Sequence, residues 1–160
     1  MSQPVGGNSG RIAGVTAEPT EFQRLYIGRL WSVMAWDQLT ALWQRIDPAA
    51  GWFLVAVGVS PAPTLATDAA GVSAFIERID ALLRAEHHES YCGIVYADDL
   101  ENPRLIKIYD PNNLGSSCGS LKNPPLPGWI MSRLPPDEII APRAAPENRK
   151  RWWRGLLGDS

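Results

Sequence analysis

The sequence predicts a small single-domain α/β (α+β) fold, a two-layer sandwich with a mixed sheet of about four strands and two or three helices. Its 160 residues, 45% of them hydrophobic, are enough to enclose one apolar core. Segments with helical periodicity alternate with short apolar runs along residues 21–142, and no internal repeat divides them. Together these observations favour one body in which helices pack on a sheet.

Two regions carry the spacing of amphipathic helices. In residues 22–46, apolar side chains recur at i, i+3, i+4 and i+7, which predicts one broken helix or two, with Asp37 as a candidate N-cap. In residues 72–83, the same spacing predicts a helix that Asp68 would cap. This helix should end near residue 88, where polar side chains suit the outward-pointing carbonyl groups.

Four short segments have the composition of strands. Residues 51–59 are continuously apolar, which predicts a central strand buried on both faces. Residues 91–97 and 104–109 flank an acidic turn and should form a hairpin, and residues 129–134 follow as a fourth strand. A helix joins the first two of these strands, so we expect them to be parallel and connected by a right-handed crossover.

The two ends of the chain differ from this body in composition. Residues 1–20, rich in Gly, Ser and Pro, are expected to be a disordered leader without the apolar run of a secretory signal. Residues 143–160 form a basic and aromatic tail with a net charge of +3, against −5 for the rest of the chain. No stretch has the roughly 18 apolar residues of a spanning helix. These features predict a cytoplasmic protein with reduced cysteines.

The stretch from Asp110 to Gly128 is the longest irregular segment of the predicted body. It is rich in Asn, Gly, Ser and Pro, which favour turns. Loops of this length inside compact domains are usually functional or disordered. Asp110 heads an Asp-Pro-Asn-Asn turn, in which its carboxylate should accept hydrogen bonds from loop N–H groups. The loop is therefore the first place to look for a site.

A cysteine nucleophile is one hypothesis for this loop. Cys118 lies between Ser and Gly residues, where a tight turn would expose the sulfur and direct backbone N–H groups at an oxyanion. His87 or His88 would act as the base, and Asp110 would orient it. No signature of a cysteine hydrolase family accompanies these residues, so an unreactive turn cysteine is the competing interpretation.

A metal site made by His88, Cys92 and Cys118 is another alternative. Two cysteines and two histidines are numerically a zinc set. Their spacing suits zinc poorly, because the two histidines are adjacent and the two cysteines are far apart in sequence. A solvated helix end for His88 and an apolar strand position for Cys92 are simpler interpretations. The sequence thus indicates no cofactor.

The basic tail has three interpretations. Arg149, Arg151 and Arg154 surround Trp152 and Trp153, a composition suited to an anionic membrane surface or to an acidic groove on a protein. The acidic body disfavours contact with nucleic acid. Alternatively, the segment is a C-terminal helix whose tryptophans pack back on the domain.

These features favour a non-catalytic protein-binding module, such as an accessory or assembly factor with a protein partner. The predicted contact residues combine polar loop side chains, apolar anchors and tail arginines: Asn112, Asn113, Leu121, Leu126, Trp129, Arg149, Arg151, Trp152, Trp153 and Arg154. The rival hypothesis is a small cysteine-dependent enzyme or thiol protein centred on Cys118, with Asp110 and His88 assisting. The reactivity of the Cys118 thiol separates the two, since catalysis needs a thiolate.

Overall fold

The computed structural model describes residues 18–114, 126–139 and 145–157. Within these ranges the elements are, in chain order, α1 (Glu21–Ile27), β1 (Trp31–Val33), α2 (Trp36–Gln44), β2 (Phe53–Ala56), α3 (Ala69–Glu86), β3 (Val95–Ala97), β4 (Leu105–Ile108), β5 (Trp129–Ser132) and α4 (Glu147–Leu157). The predicted α+β class is confirmed, but these ranges hold five strands where about four were expected and four helices where two or three were expected, and the sheet is antiparallel instead of mixed. Most of the predicted leader, residues 1–17, lies outside the described ranges. None of the helices in these ranges combines the length and apolar character needed to cross a bilayer.

One sheet orders the strands β1-β3-β4-β5-β2, and every neighbouring pair is antiparallel. The predicted hairpin is confirmed as β3 and β4, which pair with Val95 opposite Ile108. Trp129 at the start of β5 stands opposite Ile108 on one side and opposite Ala56 of β2 on the other. The 110–128 loop therefore connects two strands from the interior of the sheet.

The predicted parallel crossover from β2 to β3 is wrong. β2 lies at an edge of the sheet, and β4 and β5 separate it from β3. The connecting helix α3 has 18 residues, enough to carry the chain across the intervening strands. The apolar run of residues 51–59 has a different cause. Leu54 contributes to the core on one face of the sheet and Val55 to the core on the other, so an edge strand is buried on both faces.

The short strand β1 interrupts the first predicted helical region. Gly28 ends α1, where its N–H donates to the carbonyl oxygen of Leu25 at 3.2 Å. The chain then runs extended from Trp31 to Val33 and pairs with β3. Val33 is fully buried. Because it is apolar, it does not interrupt the pattern of apolar residues that predicted a helix on either side of it. A strand of three residues is too short to show as a change of period.

The start of α2 also differs from the prediction. The helix begins at Trp36, which places Asp37 inside its first turn instead of at the N-cap. The side-chain oxygen of Gln38 supplies the acceptor and takes hydrogen bonds from the N–H groups of Met34 (3.0 Å) and Ala35 (3.1 Å). The backbone N–H groups just before α2 thus find their acceptor in a side chain of the first turn of the helix.

The two faces of the sheet are covered by different helices. α2, α3 and α4 cover one face, where the buried side chains include Leu39, Leu42, Phe75, Ile79, Trp129 and Trp153. On the opposite face, Phe22 of α1 packs against Val55, Leu105 and Ile130. The prediction was one layer of helices on one sheet. The structure adds α1 on the second face of the sheet.

The cap of α3 is as predicted, and it gives a first testable expectation. The Asp68 carboxylate accepts a hydrogen bond from the Gly71 N–H at 2.8 Å. We expect Asp68→Ala to lower the free energy of unfolding by about 1 kcal/mol, because one donor of the first turn loses its partner. Urea denaturation of this variant beside Ser73→Ala, an exposed position on the same helix, measures the difference. Equal losses in the two variants would contradict a capping role.

Candidate functional site

The loop begins at a buried carboxylate. Asp110 is 4% exposed and accepts hydrogen bonds from the backbone N–H of Asn112 (3.0 Å) and from the side-chain amide of Asn113 (3.1 Å). The backbone carbonyl of Asp110 accepts a further bond from the Asn113 N–H at 2.9 Å. The expectation that Asp110 bonds loop N–H groups is confirmed, and these bonds fix the first turn of the loop.

The Asp110 carboxylate also joins the loop to α4. Its Oδ2 lies 2.9 Å from the Nε of Arg149, and the two side chains are 4% and 10% exposed. A charge-assisted hydrogen bond of this length between buried groups is among the stronger polar contacts in a protein. Since Arg149 lies in the first turn of α4, the pair connects the C-terminal helix to the start of the loop.

The loop ends at Gly128, which lies beside the Asp110–Arg149 ion pair. The Gly128 N–H donates to the carbonyl oxygen of Ile108 at 2.9 Å, and its own carbonyl accepts from the Val57 N–H at 3.0 Å. A Cβ at position 128 would lie 3.3 Å from the Asp110 Cβ and 3.6 Å from the Arg149 Cζ. Glycine therefore lets the closing strand pass close to the pair. We call Asp110, Gly128, Trp129 and Arg149 the loop base.

Trp129 is the apolar member of the loop base and lies against Arg149. It is 1% exposed, and the guanidinium carbon of Arg149 lies 5.7 Å from its ring centroid. The Trp152 ring packs edge-on at 5.3 Å between centroids. The Trp129 Nε1 is buried without a hydrogen-bond partner among the residues described. The arrangement combines a buried ion pair with aromatic rings packed edge-on, in surroundings where desolvation strengthens the attraction between charges.

The remaining tail residues divide between two faces of α4. Trp153 is 6% exposed and packs edge-on to Phe75, with 6.2 Å between ring centroids. Trp152 is half-buried and contacts the same phenylalanine. Arg151 and Arg154 are exposed. The packing alternative for the tail therefore describes its tryptophans, while two of its arginines face solvent.

The predicted loop residues also differ in their exposure to solvent. Asn112 and Asn113 are exposed, whereas Leu126 is half-buried and packs into the core on the α1 face. Leu121 and Cys118 lie outside the described residues. Of the predicted binding residues, those with exposed side chains in the described ranges are Asn112, Asn113, Arg151 and Arg154.

The histidines and Cys92 lie near the end of α3. Cys92 is a free, fully buried thiol, and burial raises its pKa, which disfavours the thiolate. One ring nitrogen of His87 lies 2.8 Å from the Cys92 carbonyl oxygen, and one of His88 lies 3.0 Å from that of Ala85. No three metal-ligating side chains converge within residues 18–114, 126–139 and 145–157. The metal and nucleophile alternatives both depend on Cys118 and stay predictions.

A second cluster, missed in the sequence, lies on the α1 face of the sheet. The Lys107 Nζ of β4 stands 3.7 Å from the ring centroid of Tyr26 in α1. Tyr96 of β3 is its cross-strand partner, and the Tyr96 ring packs edge-on to Tyr109 at 5.7 Å between centroids. We call Lys107 with these three tyrosines the Lys107 cluster. The available signal was a lysine within the apolar run of residues 105–108.

Burial changes the protonation of this cluster. It lowers the pKa of Lys107 to about 8, because desolvation disfavours the ammonium ion. It also raises the pKa of Tyr26 to about 12, with a smaller contribution from Tyr109. The pKa of Tyr109 is raised as well, first by burial and then by Tyr96. Burial therefore favours the neutral form of the Lys107 amine and the protonated form of the Tyr26 and Tyr109 phenols.

Comparisons with protein-family models, with curated proteins and with solved structures found no match to this chain. Two arrangements are thus available as starting points for its function. One is the loop base with the exposed residues beside it, and the other is the Lys107 cluster.

Proposed function

We propose that the protein is a non-catalytic binding module for a protein partner, an accessory or assembly factor of the cytoplasm. Its contact surface would consist of the exposed residues on either side of the loop base: Asn112, Asn113 and Leu114 at the start of the loop, and Arg151 and Arg154 on α4. The observation that carries the proposal is the buried Asp110–Arg149 pair, which fastens these two segments to each other.

The pair is costly to build, which suggests that the position of the loop matters. Burying two opposite charges is often no more stabilising than burying two apolar residues of similar size. What the pair does provide is a defined geometry, because Asp110 must meet Arg149, Asn112 and Asn113 together. A preorganised surface loses less entropy on binding than a flexible one. The loop base would thus raise affinity without contacting the partner.

The chemistry of α4 favours an acidic partner. Arg151 and Arg154 are three residues apart, so they lie on the same side of the helix. Neither arginine has an ion-pair partner among the described residues. Exposed guanidinium groups pair well with carboxylates, often in bidentate fashion. An acidic groove on another protein would complement this face.

The packing of α4 favours a protein over a membrane as the surface that it contacts. Interfacial helices insert aromatic and aliphatic side chains below the headgroups. In α4 the indole of Trp153 is buried in the domain, and that of Trp152 packs on Phe75 and Trp129. Among the side chains of α4 that the structure describes, Arg151 and Arg154 remain exposed for contact, and no exposed aromatic or aliphatic anchor of the kind a bilayer requires accompanies them.

Paired capture experiments test the proposal. The tagged full-length protein and its Arg151→Glu/Arg154→Glu variant are used to capture partners from a lysate of the source cells, with quantification by mass spectrometry. We expect a partner whose recovery falls by about tenfold or more in the variant. Its binding segment should be rich in Asp and Glu.

A charge-matched variant gives the control. Arg29→Glu/Arg133→Glu makes the same change of charge at two other exposed arginines and should retain the partner. Equal recovery with both double variants would refute the role of α4. A Cys118→Ser variant should also retain the partner, and loss of recovery there would support the thiol hypothesis.

A further inference from the structure

The strand β1 pairs with a neighbour on one side only. The order of the sheet leaves β1 and β2 at its edges, and Trp52, the residue before β2, pairs further with Thr67. Among the described residues, no strand lies on the outer side of β1. The strand itself, Trp31–Val33, contains none of the charged residues or prolines that natural proteins place on an edge to prevent pairing.

The backbone of Ser32 faces this outer side. Val33 is paired with Val95 of β3, and its carbonyl oxygen accepts a hydrogen bond from the Gly93 N–H at 2.8 Å. Successive residues of a strand direct their backbone groups to opposite sides. The N–H and C=O groups of Ser32 therefore point away from β3 and are placed to pair with another strand.

Exposed apolar side chains surround the same edge. Trp31 is 52% exposed and Met34 is 50% exposed. Tyr91 is exposed as well, and it lies beside them because the next residue, Cys92, donates its N–H to the Met34 carbonyl oxygen at 2.7 Å. These three are half of the six large apolar side chains that are exposed in the described ranges. A cluster of this kind indicates a contact surface.

The charges on either side of β1 are self-complementary. Arg29 precedes the strand and Asp37 follows it; both are exposed, and neither forms an ion pair among the described residues. In a two-fold symmetric contact, each patch meets its own copy, so residues before the strand in one copy meet residues after it in the other. Antiparallel pairing centred on Ser32 places Arg29 opposite Ala35, which is two residues before Asp37.

Arg29 and Asp37 also belong to the same face of the sheet. Leu30 packs into the core on the α1 face, and the residue before it in an extended chain is directed to the opposite face. That opposite face is the one that α2 covers, and Asp37 lies in the first turn of α2. The arginine of one copy can thus reach the aspartate of the other without crossing the sheet.

We propose that β1 is a dimerisation edge, where a second copy of this chain pairs antiparallel with Ser32 opposite Ser32 and joins the two sheets into one. The two serines exchange backbone hydrogen bonds, Trp31 and Met34 are covered, and Arg29 of each copy pairs with Asp37 of the other. A second copy is the occupant that fits, because one short segment supplies both members of every contact. The inference concerns β1, not α4, and is independent of the proposed binding function.

Sedimentation equilibrium of the full-length protein, from micromolar to millimolar concentration, measures this association. We expect a weak dimer with a dissociation constant of about 10–100 µM, because the strand is short and the contact is small. Ser32→Pro removes the outward N–H, which an edge strand tolerates on its solvent side, and should weaken the dimer by about tenfold or more. A dimer that Ser32→Pro leaves unchanged would overturn the proposal. A chain that stays monomeric throughout would overturn it too, and would leave a strand of another protein as the occupant to seek.

Two charge reversals at exposed positions distinguish a second copy from any other strand. Arg29→Asp makes both ends of the edge acidic and Asp37→Arg makes both ends basic, so each variant alone should dimerise about tenfold more weakly than the parent. An equimolar mixture of the two should recover dimers with one chain of each, because every contact again joins opposite charges. Native mass spectrometry resolves the mixed species. Single variants that associate like the parent, or a mixture without mixed dimers, would contradict the proposal.

The capture experiment described above keeps the two proposals apart. Its control variant, Arg29→Glu/Arg133→Glu, should lose the dimer and still retain the acidic partner through Arg151 and Arg154. If this variant keeps the partner but dimerises like the parent, the dimerisation edge is refuted and the proposed function is not.

Discussion

Replacing Arg149 with methionine will lower the free energy of unfolding by about 3–4 kcal/mol. The substitution preserves much of the side-chain length but leaves the Asp110 carboxylate, 4% exposed, without its cationic partner. An uncompensated buried charge lowers stability strongly. The hydrogen bonds from Asn112 and Asn113 remain in the variant, but they compensate only part of the lost interaction. Urea denaturation followed by tryptophan fluorescence measures the loss.

Arg151→Met is the matched control, since Arg151 lies two residues away on the exposed side of the same helix. We expect it to change stability by at most about 0.5 kcal/mol. Adding Asp110→Asn to Arg149→Met should recover part of the loss, because the orphaned charge is removed. If Arg149→Met and Arg151→Met are equally stable, the ion pair is not a structural element of the loop base.

The two halves of the loop base differ in how far the sequence could predict them. Asp110 follows a strand and begins an Asp-Pro-Asn-Asn turn, so its local role is visible from residue types alone. Its partner is 39 residues away, and three arginines of the tail looked equivalent. A missed signal was present, however. Arg149, Trp152, Trp153 and Leu156 have the i, i+3, i+4, i+7 spacing of a buried stripe, which singles out Arg149 as the inward-facing arginine.

The sheet topology shows a different limit. Apolar content indicated that residues 51–59 are buried on both faces, which is correct for Leu54 and Val55. It carried no information about which strands lie alongside, because hydrogen bonds within the sheet involve backbone groups common to all residues. A local hairpin such as β3–β4 is predictable from its turn, whereas the pairing of β2 with β5 depends on contacts distant in sequence.

The Lys107 cluster combines both limits. Its lysine was visible within an apolar strand, but Tyr26 reaches it from α1, about 80 residues earlier in the chain. Neither the strand pattern nor the helix pattern places an amine against a phenol ring. Side chains from separate elements meet only through the packing of those elements, which is why chemistry assembled in this way is hidden in a single sequence.

Replacing Trp153 with alanine will cost about 3–5 kcal/mol of stability, the range for truncating a buried aromatic side chain. Its ring is 6% exposed and contacts Phe75, which is itself fully buried. Removal opens a cavity between α3 and α4 and should also weaken the position of Trp152, which packs on the same phenylalanine. Thermal and urea denaturation of the full-length variant provide the measurement.

Arg154→Ala controls for the loss of a large side chain at the neighbouring exposed position, and its stability should stay within about 0.5 kcal/mol of the parent. The contrast bears on the proposed function. If Trp153→Ala is as stable as Arg154→Ala, the indole contributes nothing to the core, and the tail is again available as an apolar anchor for a partner. A large loss confined to Trp153 instead assigns the tryptophan to the fold and leaves the outward arginines as the part of α4 that a partner can contact.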